Sequence, residues 1–418
     1  MKEPNDVFSS LLEPAVLPGA VSRPSGLRPA RGIGTVGAKM PPMIPFNRPH
    51  FVGREFEYIR EAAKLGQLAG NGQFTRRCQG ALQELLGAQR VLLTHSCTAA
   101  LEMAALLLDL APGDEIIMPS FTFVSTANAF VLRGATPVFV DVRADTLNID
   151  ERLIEAAITP LTKAIVVVHY AGVPCEMDEV LRVARRHGLV VIEDAAQALL
   201  STYRGRPAGS LGDIAAFSFH ETKNVQCGEG GALVLNDQRW SERAEMLWEK
   251  GTNRTRFLQG HVDKYTWVDV GSSFLPGELT AAFLWAQLES AREITDQRLR
   301  LWDEYARAFG EAGAVVELPV VPADCTHNAH LFRIMLPAHV PRGDVLADLN
   351  RRGVNAVFHY VPLHSSPAGR RFGRVEGSMQ VTDDCSARLV RLPLWVGMGD
   401  DTPRTVVHEF ALALSAAV

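Results

Sequence analysis

The sequence predicts an α/β fold, with a large, doubly wound, mostly parallel sheet of seven strands followed by a smaller C-terminal α+β domain. Two observations carry this prediction. From about residue 85, short β-branched runs alternate with longer helical stretches, the rhythm of strand–helix–strand units. Beyond Ala314 that rhythm gives way to short strands and helices without it. A chain of 418 residues, 47% of them hydrophobic, also exceeds what a single core usually holds.

Taken in order, residues 1–42 contain seven prolines and five glycines with little periodic hydrophobicity, which predicts a flexible extension; a true start near Met43 is the other reading. A large domain with an N-terminal arm is expected over residues 43–295 and a small domain over 296–418. Strands are expected at residues 91–94, 115–118, 137–140, 164–168, 190–192, 214–219 and 232–235. Helices are expected at 98–109 and 176–187, with one long helical stretch over 277–309. In the small domain, 330–336, 342–351 and 356–359 are the candidate elements.

The charge pattern narrows the partners. Net charge is −5, from 42 basic and 47 acidic residues with no long run of either sign, which gives no footprint for nucleic acid or a membrane surface. No apolar stretch reaches the ~18 to 20 residues of a membrane helix, and Met1 to Ser10 lacks the order of a signal peptide. The six cysteines are scattered, without a CxxC pair or a histidine at zinc-finger spacing, so no metal site is expected and reduced thiols in a cytoplasm fit best. A small soluble substrate is the expectation.

Open parallel sheets bind ligands where strands end, and four such places stand out. After the first strand, His95-Ser96-Cys97-Thr98-Ala99 is a small-residue turn opening a helix, where free N–H groups would hold a phosphate. A plain helix cap reads identically. Asp194, in Glu193-Asp194-Ala195-Ala196-Gln197, is either such a cap or a carboxylate that keeps a pyridine nitrogen protonated. Ser218-Phe219-His220-Glu221-Thr222-Lys223 precedes Gly228-Glu229-Gly230-Gly231, a turn so poor in side chains that something must approach its backbone closely. The run Pro119-Ser120-Phe121-Thr122-Phe123 offers an aromatic that either stacks on a flat ring or fills core.

SFHETKN followed by GEGG, with EDAAQ and PSFTF before them, resembles the DegT/DnrJ/EryC1/StrS family of sugar aminotransferases from about Ile44 to the C-terminus. The resemblance implies the type I, aspartate-aminotransferase-like fold, pyridoxal 5′-phosphate as cofactor and a homodimer with shared active sites. It makes Lys223 the Schiff-base lysine, Asp194 the partner of the ring nitrogen, Gln197 a contact to the ring hydroxyl and Phe121 the stacking ring. Cys97, Thr98 and Ser218 would bind the phosphate. Many members add an asparagine from the neighbouring subunit in a GxNxRM motif; here Ser273 stands in its place.

Within the family, GNGQFTRRCQ, LLTHSCTAALEMAALLLDLAPGDE, VHYAGVPCEMD and KGTNRTRF are most similar to members that aminate C4 of dTDP-4-keto-6-deoxyhexoses with L-glutamate as donor. His220, Arg254, Lys264, Tyr265 and His359, the last with Tyr360, are candidate contacts to the sugar nucleotide. A related sugar dehydratase carries histidine where Lys223 stands, and a NAD-binding fold would need the GxGxxG that is absent after the first strand.

Overall fold

The computed structural model describes residues 43–417; the extension expected over residues 1–42 lies outside them. All seven expected strands are present: β1 (Arg90–Thr94), β2 (Glu115–Pro119), β3 (Thr136–Val140), β4 (Thr162–Val168), β5 (Val190–Asp194), β6 (Ile214–Ser218) and β7 (Gly231–Leu235). They lie in the order β1-β7-β6-β5-β4-β2-β3, and only β7 runs against its neighbours. Strands β2 to β5 are Ile/Val-rich and almost wholly buried, as strands covered by helices on both faces must be.

The helices that cover the sheet carry their own boundary signals. Met177–His187, for example, buries Met177, Val180, Leu181, Val183 and Ala184 on one face. Asp178 and Glu179 lie in its first turn and Arg185, Arg186 and His187 in its last, matching the helix dipole, and Gly188 at φ 66° ends it.

An eighth, two-residue strand, Arg374–Val375, pairs parallel to β3 at the sheet edge. It comes from far along the chain and is anchored there by the Arg374 guanidinium, which donates to both Glu115 carboxylate oxygens at 2.6 and 3.0 Å. The small lobe is built on an antiparallel pair, Phe332–Met335 with Leu389–Leu392, covered by helices Ala291–Ala312, Arg342–Arg351 and Thr402–Ala417. Tyr305, Phe309, Phe332 and Phe410 form its aromatic centre.

Two local expectations change. The helical stretch over 277–309 is two helices, Glu278–Glu289 and Ala291–Ala312, broken at Ser290, whose φ of −105° and ψ of 11° leave the helical region. The second helix contributes Ala291 and Ile294 to the core of the large lobe and Leu301, Tyr305 and Phe309 to that of the small one. Residues 356–359 form no strand: only Val357 bridges to Arg391, and the next carbonyl, of Phe358, accepts from the Arg391 side chain instead of a ladder N–H.

Candidate active site

Strands β1, β2, β5 and β6 all end at one edge of the sheet, and a cavity of about 770 Å³ opens there between the two lobes. Cys97, Thr98, Asp194, Gln197, Ser218, His220, Lys223 and His359 all line it, together with Tyr360. Residues up to 263 apart in sequence thus converge on one space, to which a doubly wound sheet brings the loops at the ends of its parallel strands.

The end of β1 feeds the helix Cys97–Leu107. Ser96 caps it by accepting from the Ala99 amide at 3.1 Å, and helix geometry leaves the first-turn amides of Cys97 and Thr98 without carbonyls to reach. The Thr98 hydroxyl lies 2.7 Å from that of Ser125, which also lines the cavity. Gly231, the first residue of β7, presses on this helix start: a Cβ there would sit 2.4 Å from the Cys97 nitrogen. Only glycine fits, which is the close approach the GEGG run foreshadows.

Asp194 ends β5 with its side chain buried against the cavity. The Thr126 hydroxyl donates to its Oδ2 at 2.7 Å and the Ala196 amide to its Oδ1 at 3.2 Å. Since the Thr126 proton is committed to Asp194, Thr122, 2.8 Å away, donates to Thr126 in turn. Behind it, the wholly buried Glu193 accepts from His169 Nε2 and from the amides of Gly209, Leu211 and Gly212, fixing the strand end. Gln197 accepts from the Ala171 amide at 2.7 Å and donates to the Tyr360 hydroxyl at 2.8 Å, which locks its amide orientation.

Lys223 rides on the loop between the antiparallel strands β6 and β7. That loop is closed by backbone bonds from Phe219 to Gly230 and from Glu221 to Gly228, both 2.8 Å, while Lys223 N donates to His220 O at 2.9 Å. Burial lowers the Lys223 amine below its ordinary pKa, while the Asp194 charge pulls it back up. The adjoining Asn224 donates to Asn328 O at 2.7 Å and accepts from His330 Nδ1 at 3.1 Å, so the lysine loop is stapled to the small lobe and the His330 Nε2 is left as an acceptor. Burial holds both His330 and His359 well below the ordinary histidine range, and the His359 Nδ1 lies 2.7 Å from the Tyr170 hydroxyl.

Phe121 requires a correction. It does not line the cavity: it is 1% exposed and packs against Tyr170 and Tyr360 at ring separations of 5.2 and 5.5 Å. The aromatic that does line it is Phe123, two residues on and 57% exposed. Phe121 still follows the strand and points into the core, whereas Phe123 stands at the extended residue before helix Val124–Val131, where the chain turns over the cavity.

Ser273, Arg254, Lys264 and Tyr265 also stand away from the cavity of their own chain, all exposed. Arg254 pairs with Glu249 at 3.4 Å, and Tyr265 packs on Phe257. Sequence reading missed Phe123, Ser125, Thr126, Arg298, His330 and Arg391. PSFTF contains the first of these, but the others enter through packing and through the register of two strands 57 residues apart, which no local pattern signals.

With this geometry in view, a family model described as the DegT/DnrJ/EryC1/StrS aminotransferase family matches residues 50–411. The chain belongs to that family. It is 34% identical over 376 residues to the spore coat polysaccharide biosynthesis protein SpsC of Bacillus subtilis, covering 87% of this chain and 95% of the relative. It is likewise 34% identical over 361 residues to the GDP-perosamine synthase of Caulobacter vibrioides, covering 85% and 94%. Among solved structures, the PLP-form of the sugar aminotransferase Spr1654 from Streptococcus pneumoniae superposes with a TM-score of 0.83 at 25% identity, covering 90% of this chain and all of that one.

This aminotransferase of a sugar-modifying family uses pyridoxal 5′-phosphate, and the residues present fit it. The helix N-terminus at Cys97 and Thr98, an acid at a strand end and a desolvated lysine amine all face one cavity. Among the described residues no helix is long and apolar enough to cross a membrane.

Proposed function

We propose that this enzyme transfers the amino group of L-glutamate to C4 of a dTDP-linked 4-keto-6-deoxyhexose, giving the 4-amino-4,6-dideoxyhexose and 2-oxoglutarate. The observation that carries the reading is the meeting of Lys223, Asp194 and Gln197 in a single cavity with a phosphate-ready helix start. The sugar assignment is supported by the segments from GNGQFTRRCQ to KGTNRTRF, and a cytoplasmic location by six unpaired cysteines.

When bound, pyridoxal phosphate supplies the electron sink for the pair left on carbon as a proton departs. The Cys97 and Thr98 amides, with the Thr98, Ser125 and Ser218 hydroxyls, would hold the phosphate. Phe123 would cover the ring. Asp194, itself held by Thr126 and Ala196, would keep a proton on the ring nitrogen, and Gln197 would face the ring hydroxyl. The Lys223 amine takes the proton from the donor carbon and returns it one position away, then does the reverse on the sugar, so one base serves both halves. A desolvated amine suits this work because burial favours its neutral, proton-accepting form. His220 and His359 are left to contact the sugar nucleotide. Exposed Ser273, Arg254, Lys264 and Tyr265 serve a site only in the homodimer, from one copy to the other.

A second reading, the same chemistry on a GDP-linked keto sugar, is favoured by the 34% identity to a GDP-perosamine synthase. The test is the absorbance of the cofactor-loaded enzyme on addition of L-glutamate, then of dTDP-4-keto-6-deoxyglucose or its GDP-linked counterpart, with Lys223→Ala as control. A band lost on glutamate and restored by one sugar nucleotide supports the reading and picks the nucleotide. A band that no amino acid changes refutes it.

A further inference from the structure

A tyrosine on the cavity wall holds a hydroxyl proton that no described residue takes up. Tyr360 lies just past the Val357 bridge and is fixed from several directions. Its ring stacks on that of His359 at 3.7 Å and meets Phe121 edge-on at 5.5 Å. Its carbonyl accepts from the Ser386 hydroxyl at 3.2 Å, and His359 is itself tied to the Tyr170 hydroxyl at 2.7 Å.

The hydrogens around Tyr360 can be assigned. The Ala171 amide donates to Gln197 Oε1 at 2.7 Å, so the Gln197 side-chain nitrogen faces Tyr360. At 2.8 Å that nitrogen is the donor and the Tyr360 oxygen the acceptor. The hydroxyl hydrogen is therefore not spent on Gln197, and among the described residues it has no other acceptor within hydrogen-bond reach. Burial pushes the hydroxyl above the ordinary tyrosine range, which keeps that hydrogen in place. A desolvated donor without an acceptor is costly, so the arrangement calls for an acceptor on a ligand.

We infer that Tyr360 is a catalytic residue that gives its proton to the oxygen leaving the sugar's keto carbon as nitrogen arrives. The inference rests on the proposed aminotransfer, in which Gln197 would face the cofactor's ring hydroxyl. In pyridoxal phosphate that hydroxyl sits on the ring carbon beside the one bearing the reacting carbon, so a group bonded to Gln197 stands at the reacting edge. Phe123, which would cover the ring, lies 6.4 Å from the Tyr360 ring, so that edge and the covered face meet there. In the condensation a C–N bond forms, the C–O bond breaks, and the oxygen departs as water with both hydrogens of the incoming amine. One of them passes through Tyr360: the hydroxyl gives its proton to the oxygen and regains one from the nitrogen, so the step balances with no further reagent. Release of 2-oxoglutarate in the glutamate half is the reverse of the same step, while Lys223 handles the proton on carbon.

The test uses cofactor-loaded enzyme and Tyr360→Phe, which keeps the ring and removes the hydroxyl. Stopped-flow absorbance follows the pyridoxamine form with dTDP-4-keto-6-deoxyglucose or its GDP-linked counterpart. The maximum rate should fall ~100- to ~1,000-fold, with half-saturating sugar within about threefold of wild type. Formation of 2-oxoglutarate should slow likewise, whereas exchange of the glutamate α-hydrogen for solvent deuterium, the work of Lys223, should stay within about threefold. Pyridoxamine 5′-phosphate affinity and the pH at which the resting enzyme changes absorbance should not move. An unchanged maximum rate, or an exchange slowed as much as 2-oxoglutarate formation, overturns the inference and leaves the aminotransfer standing. So does a moved absorbance midpoint, which puts the Tyr360 proton on the cofactor's ring oxygen instead. A wild-type enzyme that responds to no keto sugar sinks the proposed function and the inference with it.

Discussion

Replacing Phe123 by alanine tests which aromatic covers the cofactor, and the structure sets the size of the effect. Phe123 is 57% exposed at the cavity wall. Of the ~200 Å² that an aromatic side chain can bury, about 100 Å² is therefore uncovered, and a ring stacked on one face takes about half of that. At about 25 cal/mol per Å² this gives ~1.2 kcal/mol, to which stacking geometry adds ~0.5 to ~1.5 kcal/mol. The total corresponds to ~20- to ~100-fold in affinity. The assay is equilibrium binding of pyridoxamine 5′-phosphate, which cannot bond covalently to Lys223 and so reports the non-covalent contacts alone. Phe121→Leu is the counterpart: it removes a buried ring and should lower stability by ~1 to ~3 kcal/mol while leaving affinity within about twofold. If Phe123→Ala binds as wild type does and Phe121→Leu loses affinity instead, the placement of the two rings is wrong.

Other expectations follow from the same cavity. Burial lowers the Lys223 amine below its ordinary 10.5, so between the lowered value and 10.5 the unfolded chain binds a proton that the folded one lacks. The stability this lysine withholds from the cofactor-free protein is therefore regained as pH rises through that window. Lys223→Met should raise the melting temperature near neutral pH, with the gain shrinking towards pH 10, and a gap that does not vary with pH would contradict the desolvated amine. Gly231→Ala places a methyl group 2.4 Å from the Cys97 nitrogen and should cost at least ~10-fold in pyridoxamine phosphate affinity in the same binding assay, since backbone at a helix start has to move.

The large lobe was legible because its signals are local. Runs such as the Ile/Val stretch of β4 alternate with helices bounded by their own caps, and strand ends mark where loops converge. Lys223, Asp194 and Gln197 lie at or just past strand ends, which drew attention to their segments, and the family resemblance gave them their roles. Phe123 was displaced by one alternation, since a motif with phenylalanine at both positions does not say which ring faces inward. Arg391 and His330 were beyond reach: each arrives through a sheet or a turn of the small lobe whose partners are distant in sequence. The break at Ser290 was hidden because Ser-Ala-Arg continues an ordinary helical pattern, and no proline or glycine marks where the chain bends.

The two-residue strand Arg374–Val375 also bears on how the protein is made. Until the ribosome has released residue 375, β3 stands as a bare sheet edge with unpaired backbone groups, although the other six long strands of the sheet are finished by residue 235. Such an edge is a template for another chain. Shortening the gene to yield the large lobe alone would leave that edge permanently open, and would also remove the Arg374 charge that matches the Glu115 carboxylate. The nascent polypeptide is thus exposed to aggregation for most of its synthesis, and the closing clasp is among its last pieces to emerge.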